Sequence, residues 1–390
     1  MGRSSCKYWK FIVHVICIII TAHCVNERLN YKIIIKFERH STDIKHILIW
    51  TDLPGVQQQG QTHFIKKKCS KINCYFTKNR TLFGDVRYFD AIVFNAVDLK
   101  KDEKVDIPSE RGVNQVYIFA SNDSADKNYV CNPIYDGFFN WTWTYRQDST
   151  IPYRFISIYN NRSEELGSHF PWPIHTEPIN PTIKSLFATK SKGAAALLDE
   201  CKSNSNREGF IQNLQKAMAK YNLTLDVFGN CGTKQCKRRS FGACNWRLKN
   251  QYFFYLALED SIDHDFVTNA VLRAYKNNVV PVVYGGANYN HYLPPHSYID
   301  AIKLGIPETA KIIYESIKNR EQYYEFFKWR NHYQVRASTP LDACALCKKF
   351  AELQLKGRTS YDMIRKWWLP KYAERCWIDS LSKETPETTV

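Results

Sequence analysis

The 390-residue chain has no internal repeat and no low-complexity tract, and its composition carries no collagen-like or disordered signature. It also lacks a zinc-finger spacing, an RNP sequence and a basic tail. Lys and Arg outnumber Asp and Glu by 54 to 38, a formal net charge of +16, yet nothing gathers that charge into a nucleic-acid-binding element. The only basic runs, Lys66–Lys68 and Lys237–Arg239, read as solvated faces. One CxxC occurs, Cys344-Ala-Leu-Cys347, and no second CxxC or His pair stands at zinc spacing. No metal site is therefore expected. The first ten residues contain no acid, only Arg3, Lys7 and Lys10 as charges.

Behind that basic tip comes a short apolar run, Phe11–Val25. It reads as a signal-anchor or a signal peptide, and the anchor is the reading adopted. Basic residues stay cytosolic, so the remainder would be lumenal. Thirteen cysteines fit an oxidising compartment, and ten of them lie beyond the leader. Three pairs are close in sequence and are expected to bond locally: Cys69 with Cys74, Cys231 with Cys236 and Cys344 with Cys347. Sequons at Asn79, Asn122, Asn140, Asn161 and Asn222 agree with secretion.

Short apolar runs bounded by polar turns predict buried strands at 46–52, 89–96 and 116–121. A Pro-rich stretch, Phe170–Thr182, reads as a linker. Beyond it, strands and helical periodicities alternate regularly, which predicts parallel α/β sheets. Two such domains place a ligand in the crevice at the carboxyl ends of the strands. Glu259, Asp260 and the loop to Asp265 fall at one such end, as do Gly285 and Gly286. A helix is expected to start near Asp265, with Asp265 as its N-cap and its amide-rich end toward a phosphate.

The stretch from Tyr252 to Asp300, "YFFYLALEDSIDHDFVTNAVLRAYKNNVVPVVYGGANYNHYLPPHSYID", resembles the donor-site signature of the α1,3/4-fucosyltransferases. Other blocks agree in order: "QVYIFASNDS", "FFNWTWTYRQDSTIPY", "CKSNSNREGFIQNL", "LDVFGNCG", "YYEFFKWR" and "CALCKKF". The resemblance implies an α/β fold of two Rossmann-like domains (GT-B type) behind an N-terminal signal-anchor. The implied segments are the tip and anchor at 1–25, an acceptor-side domain at 26–180, a donor domain at 181–335, and a carboxyl-terminal helix and polar tail at 336–390.

The same resemblance implies GDP-fucose as donor, a GlcNAc-containing glycan as acceptor, inversion at the fucose carbon and an α1,3 linkage, with no cofactor or metal. Its location would be the Golgi membrane, as a single-pass type II protein. Asp123 takes the place of the family's general base, a Glu, and is one methylene shorter; a glycan on Asn122 would crowd it. The donor-binding positions are Arg207, Glu259, Asp260, Phe266, Asn269, Arg273, Gly285 and Gly286. Where the family has Tyr, Glu and Lys in "YVTEK", this chain has Phe266, Asn269 and Ala270. Arg273 lies one helical turn beyond Ala270 and can reach back, because helical side chains lean toward the amino end. Two further functions stay open on the residues alone: a non-catalytic paralogue that binds a glycan or a lumenal partner, and a transferase for another nucleotide sugar.

Overall fold

The computed structural model describes residues 44–54, 56, 59–99, 106–167, 170–173, 177–235, 241–352 and 360–384. The expected leader at 1–25 lies outside them, as does the end of the tail. Among the described residues no helix is long and apolar enough to cross a membrane.

Two five-stranded parallel sheets form the body. The first contains β1 (Lys45–Ile49), β2 (Cys74–Thr77), β3 (Ala91–Asn95), β4 (Val116–Ala120) and β5 (Trp141–Trp143), in the order β2-β1-β3-β4-β5. β6 (Ile156–Asn160) and β7 (Glu165–Leu166) then leave this sheet. The second contains β8 (Lys192–Leu197), β9 (Leu225–Phe228), β10 (Tyr252–Leu258), β11 (Val280–Tyr284) and β12 (Ile299–Asp300), in the order β12-β11-β10-β8-β9. β13 (Tyr333–Ala337) returns to pair antiparallel with β6. The chain thus passes from one half to the other, and back, through this small sheet.

Parallel strands covered on both faces need apolar residues at every position rather than alternate ones. β3 and β10 meet that need, being buried along their whole lengths. The second sheet accordingly has a core on each face: one around Tyr255, Val271 and Tyr289, the other around Phe254, Leu214 and Ile313. The first sheet's core also takes in Leu346, Phe350, Ile364 and Trp368, so the carboxyl-terminal segment packs on the amino-terminal half.

The cysteines enforce that return, and here the expected local pairing is corrected. Cys69 bonds Cys344, Cys74 bonds Cys347, and Cys131 bonds Cys376, with Cα separations of 5.1, 5.8 and 5.7 Å. Cys231 bonds Cys201 rather than Cys236. Cys344 and Cys347 are three apart on the helix Ala343–Glu352, so both thiols leave one face. That face meets the helix Thr62–Lys66 and the start of β2, where Cys69 and Cys74 are waiting. Bridges spanning 275, 273 and 245 residues remove far more freedom from the unfolded chain than local ones would.

Candidate active site

In the second sheet the strand order reverses between β8 and β10, and open α/β sheets bind ligands at such a point. A cavity of about 320 Å³ lies there. Asp199 lines it from the end of β8, and Glu259 and Asp260 line it from the end of β10. Arg207 enters from the helix Arg207–Ala219, which follows β8. Asn269, Ala270 and Arg273 enter from the start of the helix Ala270–Lys276, which follows β10. Six of the residues expected from sequence, Arg207, Glu259, Asp260, Asn269, Arg273 and the substituted Ala270, therefore share one cavity.

Arg207 is fixed by a hydrogen bond from Nη1 to the Leu258 carbonyl oxygen at 3.1 Å, and its buried Nε has no partner. Arg273 is half-buried and lines the same cavity one turn beyond Ala270. Glu259 is 3% exposed, and its Oε1 accepts the Thr268 N–H at 2.8 Å. Burial pushes this carboxyl up to about 7, against the pull of the Thr268 hydrogen bonds and of Arg207, and with the help of Asp260.

That shift has a consequence for stability. In the unfolded chain Glu259 ionises near its ordinary 4.5, whereas in the fold it holds its proton to about 7. Its contribution is complete below pH 4.5 and is lost as pH rises through 7, at most roughly 3 kcal/mol. Asp263, pushed up to about 6 by burial, adds a slope of the same sign. Glu259→Gln is expected to flatten the fall in urea-denaturation stability between pH 5 and pH 8. An unchanged slope would place the titration on other groups.

The first half contributes the segment after β4. Asp123 lies three residues beyond that strand, with its side chain 40% exposed and Oδ1 accepting the Ser124 N–H at 2.8 Å. Burial raises its carboxyl above the usual range, opposed by that N–H and by Lys127 and reinforced by Asp260 and Glu200. Lys127 Nζ stands 2.5 Å from Asp260 Oδ2 and 3.8 Å from Asp123 Oδ2. It joins the two halves and places the Asp123 carboxylate beside the wall of the cavity. Burial works against the ammonium, but the hydrogen bond to Asp260 and the charge of Asp123 outweigh it, and its proton is held more tightly than usual.

Neighbouring contacts close the same seam. Ser124 Oγ donates to Ser261 Oγ at 2.8 Å, the Asp126 N–H to Asp263 Oδ2 at 3.0 Å, and the Gln147 N–H to Asp265 Oδ2 at 3.1 Å.

Several expected residues sit elsewhere. The helix begins at Ala270 with Asn269 as its N-cap residue, not near Asp265. Asp265 is in the left-handed region at φ 63°, buried, and used to accept Gln147 rather than to cap. Phe266 does not line the cavity. It is 2% exposed and edge-packed on Tyr145 at 4.9 Å, inside the first half's core. Gly285 and Gly286 serve close packing: a Cβ would lie 2.4 Å from the Tyr289 hydroxyl at the first and 2.7 Å from the Asp263 carbonyl oxygen at the second. Sequence reasoning missed Lys127 and Thr268. For Lys127 the one available signal was its position four residues after Asp123, a spacing that brings side chains together only where the backbone is helical.

The profile described as "Fucosyltransferase, N-terminal" matches residues 42–156, and "Glycosyltransferase family 10 (fucosyltransferase) C-term" matches residues 187–367. Alpha-(1,3)-fucosyltransferase C of Drosophila melanogaster is 31% identical over 348 residues, 85% of this chain and 79% of that protein. Alpha-(1,3)-fucosyltransferase fut-1 of Caenorhabditis elegans is 29% identical over 308 residues, 76% of this chain and 64% of that protein. A crystal structure of an alpha1,3-fucosyltransferase with GDP-fucose overlaps 82% of this chain and 93% of its own at 12% identity, with a TM-score of 0.47. With family segments matched on both halves and a relative 31% identical over 79% of its length, the chain belongs to glycosyltransferase family 10, the fucosyltransferases.

Proposed function

We propose that the protein transfers fucose from GDP-fucose to a GlcNAc hydroxyl of a glycoprotein or glycolipid glycan, with inversion and in α1,3 linkage. The observation that carries this reading is the meeting of Arg207, Arg273 and Glu259 in one cavity whose rim, Asp260, is tied through Lys127 to Asp123. In the proposed reaction Asp123 accepts the proton of the acceptor hydroxyl. The hydroxyl oxygen forms a bond to the fucose anomeric carbon from the face opposite GDP. The bond from that carbon to the diphosphate oxygen breaks, and its electron pair leaves with GDP. Arg207 and Arg273 meet the diphosphate charge, which a preorganised and partly buried site stabilises better than water does. Asp199 and Asp260 are the acceptors available to ribose or fucose hydroxyls.

Inversion needs a single base and a single displacement, and the Asp123 carboxylate on the acceptor side of the seam suits that requirement. The donor is already activated, so no cofactor is needed. The acceptor side is assigned to residues 26–180 and the donor side to 181–335. We further place the protein in the Golgi membrane as a single-pass type II protein, held by the anchor read at 1–25. That reading is supported by the basic tip, the apolar run, and the disulfides that tie the two ends of the globular part together. The relatives above are named as transferases, so the non-catalytic alternative gains no support from them.

The test is transfer of labelled fucose from GDP-fucose to N-acetyllactosamine, with calorimetry of GDP binding in parallel and NMR of the product's linkage and anomeric configuration. Absence of both transfer and GDP binding would overturn the reading.

Lys127 yields a sharper expectation. It lowers the Asp123 pKa against the effect of burial. Lys127→Met should therefore move the acid limb of the kcat/KM–pH profile to higher pH, while Lys127→Arg keeps it in place. A profile that falls in height without moving would leave Lys127 with a merely structural part.

A further inference from the structure

Beside the crevice lies a second, open cavity of about 630 Å³, bordered by the first half, the small antiparallel sheet and the start of the helix Ala343–Glu352. Its volume falls in the range of small-molecule sites, roughly 300–1,000 Å³. Two of its wall residues are tied to the crevice. The Tyr153 hydroxyl donates to the Ser121 carbonyl oxygen at 2.7 Å, two residues before Asp123, and Arg154 lies over Tyr292 with its guanidinium carbon 5.9 Å from the ring centroid. Tyr292 in turn accepts from Gln147 Nε2 at 2.8 Å, on the seam between the halves.

Arg154 is the unusual group. Burial works against its charge, Tyr292 and the Glu165 carboxylate only partly offset it, and no carboxylate among the described residues is within ion-pairing distance. A guanidinium has five N–H donors. Here one of them makes a single long hydrogen bond, Nη1 to the Leu166 carbonyl oxygen at 3.4 Å. Arg154 lines a cavity together with Tyr159, whose ring carries the Arg336 guanidinium at 4.5 Å on one face, the carboxylates of Glu165 and Asp342, and the ammonium of Lys67. The lining side chains are two cations and two acids, whose charges balance. Aromatic rings interleaved with donors and acceptors of both kinds suit a ligand with apolar ring faces and many hydroxyls.

We infer that this cavity is a subsite for the further sugars of a neutral oligosaccharide acceptor, with Arg154 donating to sugar oxygens and Tyr159 covering a ring face. The inference rests on the transferase reading above, because it extends the acceptor away from the hydroxyl that Asp123 would deprotonate.

The test compares methyl N-acetylglucosaminide with a neutral N-acetyllactosamine-containing tetrasaccharide as acceptors, and with the sialylated form of that tetrasaccharide. For the unaltered protein, KM for the neutral tetrasaccharide should be at least tenfold below that of the monosaccharide. Arg154→Met and, separately, the half-buried and more tolerant Tyr159→Ala should each erase that advantage. They should leave KM for the monosaccharide and Kd for GDP unchanged. An advantage that persists in both variants, or one that is larger for the sialylated glycan, would overturn the assignment. If the unaltered protein transfers fucose to none of these acceptors, the transferase reading fails by itself. Saturation-transfer NMR of the neutral tetrasaccharide on the GDP-saturated protein then decides the subsite. Signals lost in Arg154→Met support it, and signals absent or equal in both proteins refute it.

Discussion

Asp123→Asn is expected to reduce fucose transfer by about 10²–10⁴-fold, the usual worth of a positioned general base, with little change in the Kd for GDP. The expectation rests on where Asp123 sits. It is a partly exposed carboxylate on the acceptor side of the seam, held by the Ser124 N–H and facing Lys127, so it is oriented yet reachable. Its raised pKa makes it a better proton acceptor than a solvated aspartate. The amide is isosteric and cannot take the proton. It leaves the Lys127–Asp260 ion pair in place, so the donor cavity keeps its wall. Because Asp is one methylene shorter than the Glu that the family resemblance implies at this position, Asp123→Glu tests reach. A displacement of about 1 Å can cost about 100-fold, and this backbone is already set for the shorter side chain. Full transfer by Asp123→Asn would remove the base from this position.

Arg207→Ala and Arg273→Ala are each expected to weaken GDP binding by about 10- to 100-fold, in line with roughly 1.5–3 kcal/mol for a hydrogen bond to a charged group. The gross attraction of a guanidinium to a phosphate at about 4 Å is near 4 kcal/mol at an effective dielectric of about 20, before desolvation is subtracted. The two arginines come from the first turns of different helices and face one cavity, so they can clamp a diphosphate from two sides. Both effects should shrink as salt is raised from about 0.05 to 0.5 M, since screening acts on the charged part of the interaction. Arg273 carries the more specific claim, that it stands in for the ammonium absent at Ala270. Calorimetry that shows Arg273→Ala binding GDP as tightly as the unaltered protein would refute that substitution.

The sequence by itself was enough for the parallel α/β architecture. Runs such as Ala91–Asn95 and Tyr252–Leu258 are apolar at every position, and only strands covered on both faces bury such runs. Its strand-end pattern placed Glu259 and Asp260, which lie just beyond β10, and its family resemblance added Arg207, Asn269 and Arg273, which line the same cavity. It did not give the start of the helix at Ala270. The preceding residues have helical periodicity, yet Asp265 and its neighbours are recruited to the seam by Gln147 and Asp126 of the other half. Nor did it give Phe266 its place in the first half's core, the Lys127–Asp260 pair across 133 residues, or the bridges from Cys69 to Cys344 and from Cys74 to Cys347. Local patterns record how often a residue meets the core, because burial repeats with the period of the element. They hold nothing about which distant surface meets it, and that was decided only when the two halves and the returning carboxyl-terminal segment packed together.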